Sequence, residues 1–336
     1  MLFFVLGLPG GFAEWCSAVT AALARRAAEP AARIEADTLC EVAIKTIEVG
    51  AAQAVVESRR PGGRLRAALV EARRTFVVAL DDPRAALLEL VLGRGVDLAE
   101  AVRVLASSCA ALTSYRELPG ALVLQAGRDR PQPAATAAAI ARHLGIALDD
   151  DAIIDAVAEV GADQAALLED DAIAWWSGLD RAQREMATGA LTPYLDPGAA
   201  GGELSITWTG DLFPACDRPG ERASGPIDIT GRARRVIEGP GIMLPPGSWS
   251  LALNLFCTRE AAEHEFLVEV AADVPIAAGT FRPPAEGSAA FDLRFAIDEL
   301  TEAPVAIRVS TVRAAFDGAV SLIGATVVRA KASDAG

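Results

Sequence analysis

The chain has 336 residues, enough for two domains, and slightly over half of them are hydrophobic, enough for a large core. Its formal net charge of −14 argues against a nucleic-acid backbone or an anionic lipid surface as partner, since both select basic patches. Five scattered cysteines with no Cys-x-x-Cys pair, and only two histidines (His143 and His264), leave zinc sites, disulfide frameworks and histidine triads short of parts.

No run reaches the ~18 apolar residues of a spanning helix. The apolar stretch at the start has no Lys or Arg before it and stops at Leu6, which does not read as a signal peptide. A cytoplasmic protein with no membrane insertion is expected. Leu2–Leu6 reads as a buried strand, followed by a turn at Gly7, Pro9, Gly10 and Gly11 and a helix over Ala13–Ala24. Ala31–Ile34 reads as a short strand. Thr38–Gln53 reads as a helix with Asp37 as its N-cap, and Arg59–Gly63 as a turn. Leu65–Arg73 continues as helix, Thr75–Leu80 as a buried strand, and Asp82-Pro83 as a helix start running to Leu92. A helix over Asp97–Arg116, a strand over Ala121–Gln125 and a helix over Pro133–Leu144 follow, the last closed by Gly145. Asp149–Glu169 is an acidic helical stretch with carboxylates at its N-terminus, and Asp180–Thr188 is the last helix. Alternating strand and helix predicts a parallel sheet with helices on both faces.

Pro193–Gly202, rich in Pro, Gly and Ala, marks a boundary. Beyond it come short alternating runs at Leu204–Thr209, Ile227–Ile229, Ala233–Glu238, Ser248–Phe256, Glu265–Ala271, Ala290–Ile297, Val305–Thr311 and Val320–Arg329, separated by turns such as Gly239-Pro240-Gly241. They predict an antiparallel β-sandwich of seven or eight strands. The organisation expected is an α/β domain over 1–195, a linker over 196–204, a sandwich over 205–331 and a tail over 332–336.

Three stretches of the first domain together resemble the P-loop sulfotransferases. Gly7-Leu8-Pro9-Gly10-Gly11-Phe12-Ala13-Glu14-Trp15 stands where that family reads Pro-Arg/Lys-Ser-Gly-Thr-Thr-Trp, with Pro9 and Trp15 in register. Asp82-Pro83-Arg84 matches the family's Arg-Asp-Pro-Arg, and Arg130–Ile146 resembles its late helix ending in Leu-Gly. The resemblance implies a three-layer P-loop-like fold and a donor, 3′-phosphoadenosine 5′-phosphosulfate, held by the glycine-rich loop. Gly7, Pro9, Gly10, Gly11, Arg84 and Arg128 are then the candidates for contacting nucleotide or anion. The chemistry departs from the family. Gly10 replaces the loop cation, Ala13 and Glu14 replace the threonines, and Asp81 replaces the leading Arg. Such a degenerate site has lost cations and gained acids, so no bound cofactor is expected unless the donor site is rebuilt from other groups. Glu35 and Asp37, beyond the second strand, are the candidate general bases.

In the second domain Gly239-Pro240-Gly241-Ile242-Met243-Leu244-Pro245-Pro246-Gly247-Ser248-Trp249 resembles jelly-roll, carbohydrate-binding-like domains of bacterial surface-polysaccharide proteins. Sugar binding wants an aromatic platform flanked by polar groups, which makes Trp208, Arg232, Arg235 and Trp249 the glycan candidates. Trp249 also reads as the inner residue of a core strand. The adjacent indoles Trp175 and Trp176 cannot both face one core; one of them is expected to be exposed or to pack on the second domain, rather than to form a ligand platform. The function expected is a non-catalytic or altered sulfotransferase-like protein that recognises a glycan, or scaffolds other enzymes, in bacterial cell-surface polysaccharide synthesis. The alternatives are an active glycan sulfotransferase and a structural, homo-oligomerising protein.

Overall fold

The computed structural model describes residues 1–28, 31–161, 169–194, 204–216 and 220–330. They form two compact units, 1–96 with 108–179 and 97–107 with 180–336. The helix Arg181–Leu191 belongs with the second unit and packs on its first strand. Gly189 permits this, since a β-carbon there would sit 2.6 Å from the Thr207 carbonyl oxygen. Most of the expected linker and all of the tail lie outside the described residues.

The first unit is built on a five-stranded parallel sheet of β1 (Leu2–Gly7), β2 (Ala31–Glu35), β3 (Gln53–Ser58), β4 (Phe76–Leu80) and β5 (Ala121–Gln125), in the order β2-β3-β1-β4-β5. The central strand β1 is buried on both faces, which is why it reads as an unbroken apolar run. One face carries Phe3, Val5, Val55, Val77 and Ala79 against α1 (Gly11–Ala27), α7 (Pro133–Leu144) and α8 (Asp150–Val160). On the other face Phe76 meets Tyr115 edge-on at 6.0 Å, and the Tyr115 hydroxyl donates to the Gly62 carbonyl. This is the expected three-layer α/β architecture.

Between these elements lie α2 (Leu39–Val49), α3 (Gly63–Glu71), α4 (Pro83–Leu88), α5 (Leu98–Thr113) and α6 (Ala126–Asp129), with α9 (Glu169–Gly178) and α10 (Arg181–Leu191) closing the helical part. Two local expectations need correction. The helix expected over Thr38–Gln53 ends at Gly50, whose φ of +60° caps it in the left-handed conformation, and the next residues form β3. The N-cap of α2 is Thr38, in a capping box with Glu41, and not Asp37. Asp82 does cap α4, accepting from the Arg84 N–H at 2.8 Å.

The second unit contains two antiparallel sheets, a β-sandwich. One has the order β11-β10-β13-β8 and the other β12-β9-β14-β6, with the two-residue β7 (Ile227–Asp228) on β14. The strands are β6 (Leu204–Thr209), β8 (Arg235–Ile242), β9 (Gly247–Cys257), β10 (Phe266–Ala271), β11 (Pro275–Phe281), β12 (Gly287–Ile297), β13 (Val305–Thr311) and β14 (Ala319–Arg329). Period-two burial along β6, β9 and β13 places Trp208, Trp249, Leu251, Leu253, Ile307 and Val309 in the core. Gly239-Pro240-Gly241 is not a turn but part of β8. The strand is at a sheet edge, where a missing N–H is tolerated.

Candidate functional site

The chain leaves β1 towards β2 and leaves β4 towards β5, so the crevice of this sheet opens between the carboxyl ends of β1 and β4. Leu8, Pro9 and Gly10 fill one side of it and Asp81 the other. Gly7 permits close packing of helix on sheet: a β-carbon there would lie 2.5 Å from the Ala13 β-carbon and 2.9 Å from the Ala79 carbonyl oxygen. Leu8, Pro9 and Gly10 are all buried, and Gly10 faces the Asp81 carboxylate and Ala86 of α4.

Asp81 decides what this crevice can hold. Its side chain is 5% exposed. Oδ2 accepts from the Phe12 N–H in the first turn of α1 at 3.4 Å and from Arg130 at 3.4 Å, while Oδ1 accepts from the Asp82 N–H at 2.9 Å. Burial pushes the Asp81 carboxyl above the usual carboxylate range, against the opposing pull of Arg130 and the two backbone donors. A helix N-terminus that could receive a phosphate therefore receives this chain's own carboxylate.

The second acid is Glu14, also in the first turn of α1. Its Oε1 accepts from Arg59 at 3.0 Å, beyond β3, and from Arg94 at 2.5 Å. Arg94 also meets Glu89 at 3.0 Å, and Arg59 reaches Glu57 and Glu35, each at 3.4 Å. Arginines thus do surround the loop, but carboxylates of the same unit engage them. A cleft of about 490 Å³ opens on the flank, between Gly11, Glu14, Trp15, Arg33 and Glu89. The buried Trp15 indole N–H has no hydrogen-bond partner there. Among the described residues no cluster of three His, Cys, Asp or Glu is placed to hold a metal ion.

The other sequence candidates distribute as follows. Arg128 pairs with Asp129 at 2.9 Å and donates to the Val123 carbonyl, and Arg130 pairs with Asp81. Arg84 is half exposed, beside Asp82, with its guanidinium 5.8 Å over the Trp176 ring. Trp175 packs partly buried against Ala85, Leu88 and Ala172, so both indoles are engaged within the first unit. Asp37 is structurally engaged: one oxygen accepts from the Ser58 hydroxyl and the Arg59 and Arg60 N–H groups at 2.8–2.9 Å. Glu35 is exposed, 3.4 Å from Arg59.

In the sandwich Trp208 and Trp249 are fully buried, and the Trp249 indole donates to the Pro245 carbonyl at 3.0 Å. Both sit on the inward face of their strands, so neither ring is a platform for a sugar. Arg235 pairs with Glu238 at 2.6 Å, and Arg232 is exposed in the preceding loop. Sequence reasoning missed the closing role of Asp81. It follows from a contact 69 positions apart, which no local pattern carries.

No protein-family model matches the sequence, and no curated protein does. Solved structures similar to parts of it include mouse sulfotransferase SULT7A1 complexed with PAP, at 7% identity and a TM-score of 0.37, over 48% of this chain and 62% of that one. Retinol dehydratase in a complex with retinol and PAP is similar at 12% identity and a TM-score of 0.39, over 58% and 81%. The xylan-binding module CBM15 is similar at 10% identity and a TM-score of 0.26, over 39% and 99%. At these scores the likenesses bear on no residue's chemistry.

The nucleotide donor that the sequence resemblance implies can be tested against the residues present, and it does not fit. A phosphate at the N-terminus of α1 would displace or abut Asp81. Two unit charges of like sign 4 Å apart repel by about 4 kcal/mol at an effective dielectric of 20. A helix N-terminus offers an anion roughly 0.3–2 kcal/mol, and the cation beside it, Arg130, is already paired with Asp81.

Proposed function

We propose that this chain is a non-catalytic, sulfotransferase-like protein whose donor loop is closed by its own carboxylates, and that it recognises a glycan through its β-sandwich. The cellular setting proposed is cell-surface polysaccharide synthesis in a bacterium, with glycans or the synthesising enzymes as partners. One observation carries the non-catalytic half: the Asp81 carboxylate accepts the first-turn N–H of α1, within a loop whose Leu8, Pro9 and Gly10 are buried. The glycan half is supported by the sequence resemblance of the second unit and by its sandwich architecture.

A second reading is an active glycan sulfotransferase. The convergence of Arg59, Arg94 and Arg130 near the loop favours it, because cations are what a sulfuryl-transfer site needs. It requires Glu14 and Asp81 to give up their arginines to the donor. Thermal unfolding with 3′-phosphoadenosine 5′-phosphate and, separately, with oligosaccharides distinguishes the two. A non-catalytic glycan binder is stabilised by an oligosaccharide only, whereas an enzyme is stabilised by the nucleotide. A shift with neither, in a protein that elutes as an oligomer, supports a scaffold instead.

A further inference from the structure

Three loops leave the same end of the sandwich. They are 258–265 between β9 and β10, 282–286 between β11 and β12, and 312–318 between β13 and β14. Cross-strand pairs hold their bases together: Gly287 with Cys257, Phe266 with Phe281, and Phe266 with Thr311. The Val312 N–H donates to the Glu265 carbonyl at 3.1 Å. Gly318 packs so closely on Ala261 that a β-carbon there would sit 2.8 Å from the Ala261 nitrogen. Thr258 Oγ1 accepts from the Ala319 N–H at 3.1 Å and ties the base of the third loop to the first.

Between the first two loops lies a cleft of about 740 Å³, lined by Arg259, Glu263, Arg282, Pro283, Pro284 and Glu286 among others. This volume is in the range of small-ligand sites. Among the described residues neither Arg259 nor Arg282 has an ion-pair partner within 4 Å, although two carboxylates line the same cleft. By contrast, Arg235 and Arg308 are both engaged by Glu238. The third loop, tied to the first at Gly318 and Ala261 and to Gly231 through Ala315, carries Phe316, which is 96% exposed. A ring left almost wholly in water has its apolar face open to a ligand.

Resting on the glycan-recognition reading, we infer that this loop end is the sugar-binding site, and that its ligand is a neutral saccharide. Phe316 would pack on the C–H face of a ring. Arg259 and Arg282 supply donors, and Glu263 and Glu286 supply acceptors. A sugar hydroxyl both donates and accepts, so a cleft with two cations and two carboxylates, and no net charge among them, matches it. An acidic saccharide would meet Glu263 and Glu286 on a chain of net charge −14.

The test is calorimetric titration of the full chain with cello-, xylo- and mannohexaose and with a uronic-acid hexamer. It is repeated on Phe316→Ala, on Arg259→Ala/Arg282→Ala, and on Phe256→Ala as a control on the exposed sheet face. The expected result is binding of a neutral hexamer, weakened about tenfold or more by the double arginine change and several-fold by Phe316→Ala, with Phe256→Ala unchanged. All these residues are exposed, so unchanged melting confirms that folding is intact. If a neutral hexamer binds but only Phe256→Ala weakens it, the site is wrong and glycan recognition stands. If only the uronic hexamer binds, the neutral assignment is overturned. If the unaltered chain binds none of the four, both the inference and the reading beneath it fail.

Discussion

Gly7→Ala separates a packing role for the loop glycines from a phosphate-binding one. The added β-carbon would begin 2.5 Å from the Ala13 β-carbon and 2.9 Å from the Ala79 carbonyl oxygen. Carbon atoms pack at about 3.5–4.0 Å, so α1 would have to lift by roughly 1 Å. Neither neighbour can swing away, because one is backbone of β4 and the other is a β-carbon fixed to α1. That helix delivers Phe12, Cys16, Val19 and Leu23 to the core, all fully buried. Overpacking of this kind costs about 1–3 kcal/mol, and in a unit of this size each kcal/mol lowers the melting temperature by about 2–4 °C. Differential scanning calorimetry should therefore show the first unit melting about 2–12 °C lower. Gly11→Ala is the matched control. Its β-carbon would meet nothing nearer than Glu89 Oε2 at 3.9 Å, so stability should change by no more than about 0.5 kcal/mol. If Gly7→Ala melts with the unaltered chain, or Gly11→Ala falls as far, the packing account is wrong.

Further outcomes follow from the same structure. Asp37→Ala removes the acceptor of three hydrogen bonds that hold the end of β3. It should cost about 1–3 kcal/mol in denaturant unfolding, whereas Glu35→Ala should be close to neutral. Because burial raises the Asp81 carboxyl in the fold, its contribution to stability is greatest below the unfolded value of 3.8 and is lost as pH rises through the folded value. Asp81→Asn should flatten that part of the stability–pH profile; an unchanged profile would show that another group titrates. Trp208→Ala and Trp249→Ala should each cost about 3–5 kcal/mol, as core aromatics do, while Phe316→Ala leaves melting unchanged. Native-state thiol titration should find Cys40 and Cys216 reactive and Cys16, Cys109 and Cys257 silent. Burial pushes the Cys109 thiol up to about 12 and the Cys257 thiol up to about 11.

The architecture was legible where one physical signal dominated. The apolar run of β1, the Asp82-Pro83 helix start and the change to short alternating runs after residue 204 each gave the right element. Strand β3 was lost because, on spacing alone, the apolar stripe of α2 continues through Gly50, and only the left-handed backbone there ends it. Strand β11 was missed because Pro275–Phe281 is a half-exposed edge strand of small residues with little alternation. The loss of loop cations could be read directly from Gly10, Ala13 and Glu14. The arginines that return after β3, after the helical turn Glu89–Gly93 and after α6 could not, nor could the carboxylates that neutralise them. Those pairings depend on the sheet order, which brings the ends of β3, β1 and β4 together from distant parts of the chain. Trp208 and Trp249 were offered to a sugar on residue type, and strand alternation turned both inward.

The self-closed loop is tested most directly by isothermal titration of 3′-phosphoadenosine 5′-phosphate into the unaltered chain and into Glu14→Gln/Asp81→Asn. With the carboxylates in place no binding heat is expected. With both neutralised, Arg59, Arg94 and Arg130 each lose one carboxylate partner, and measurable binding should appear. Tight stoichiometric binding to the unaltered chain would contradict the account.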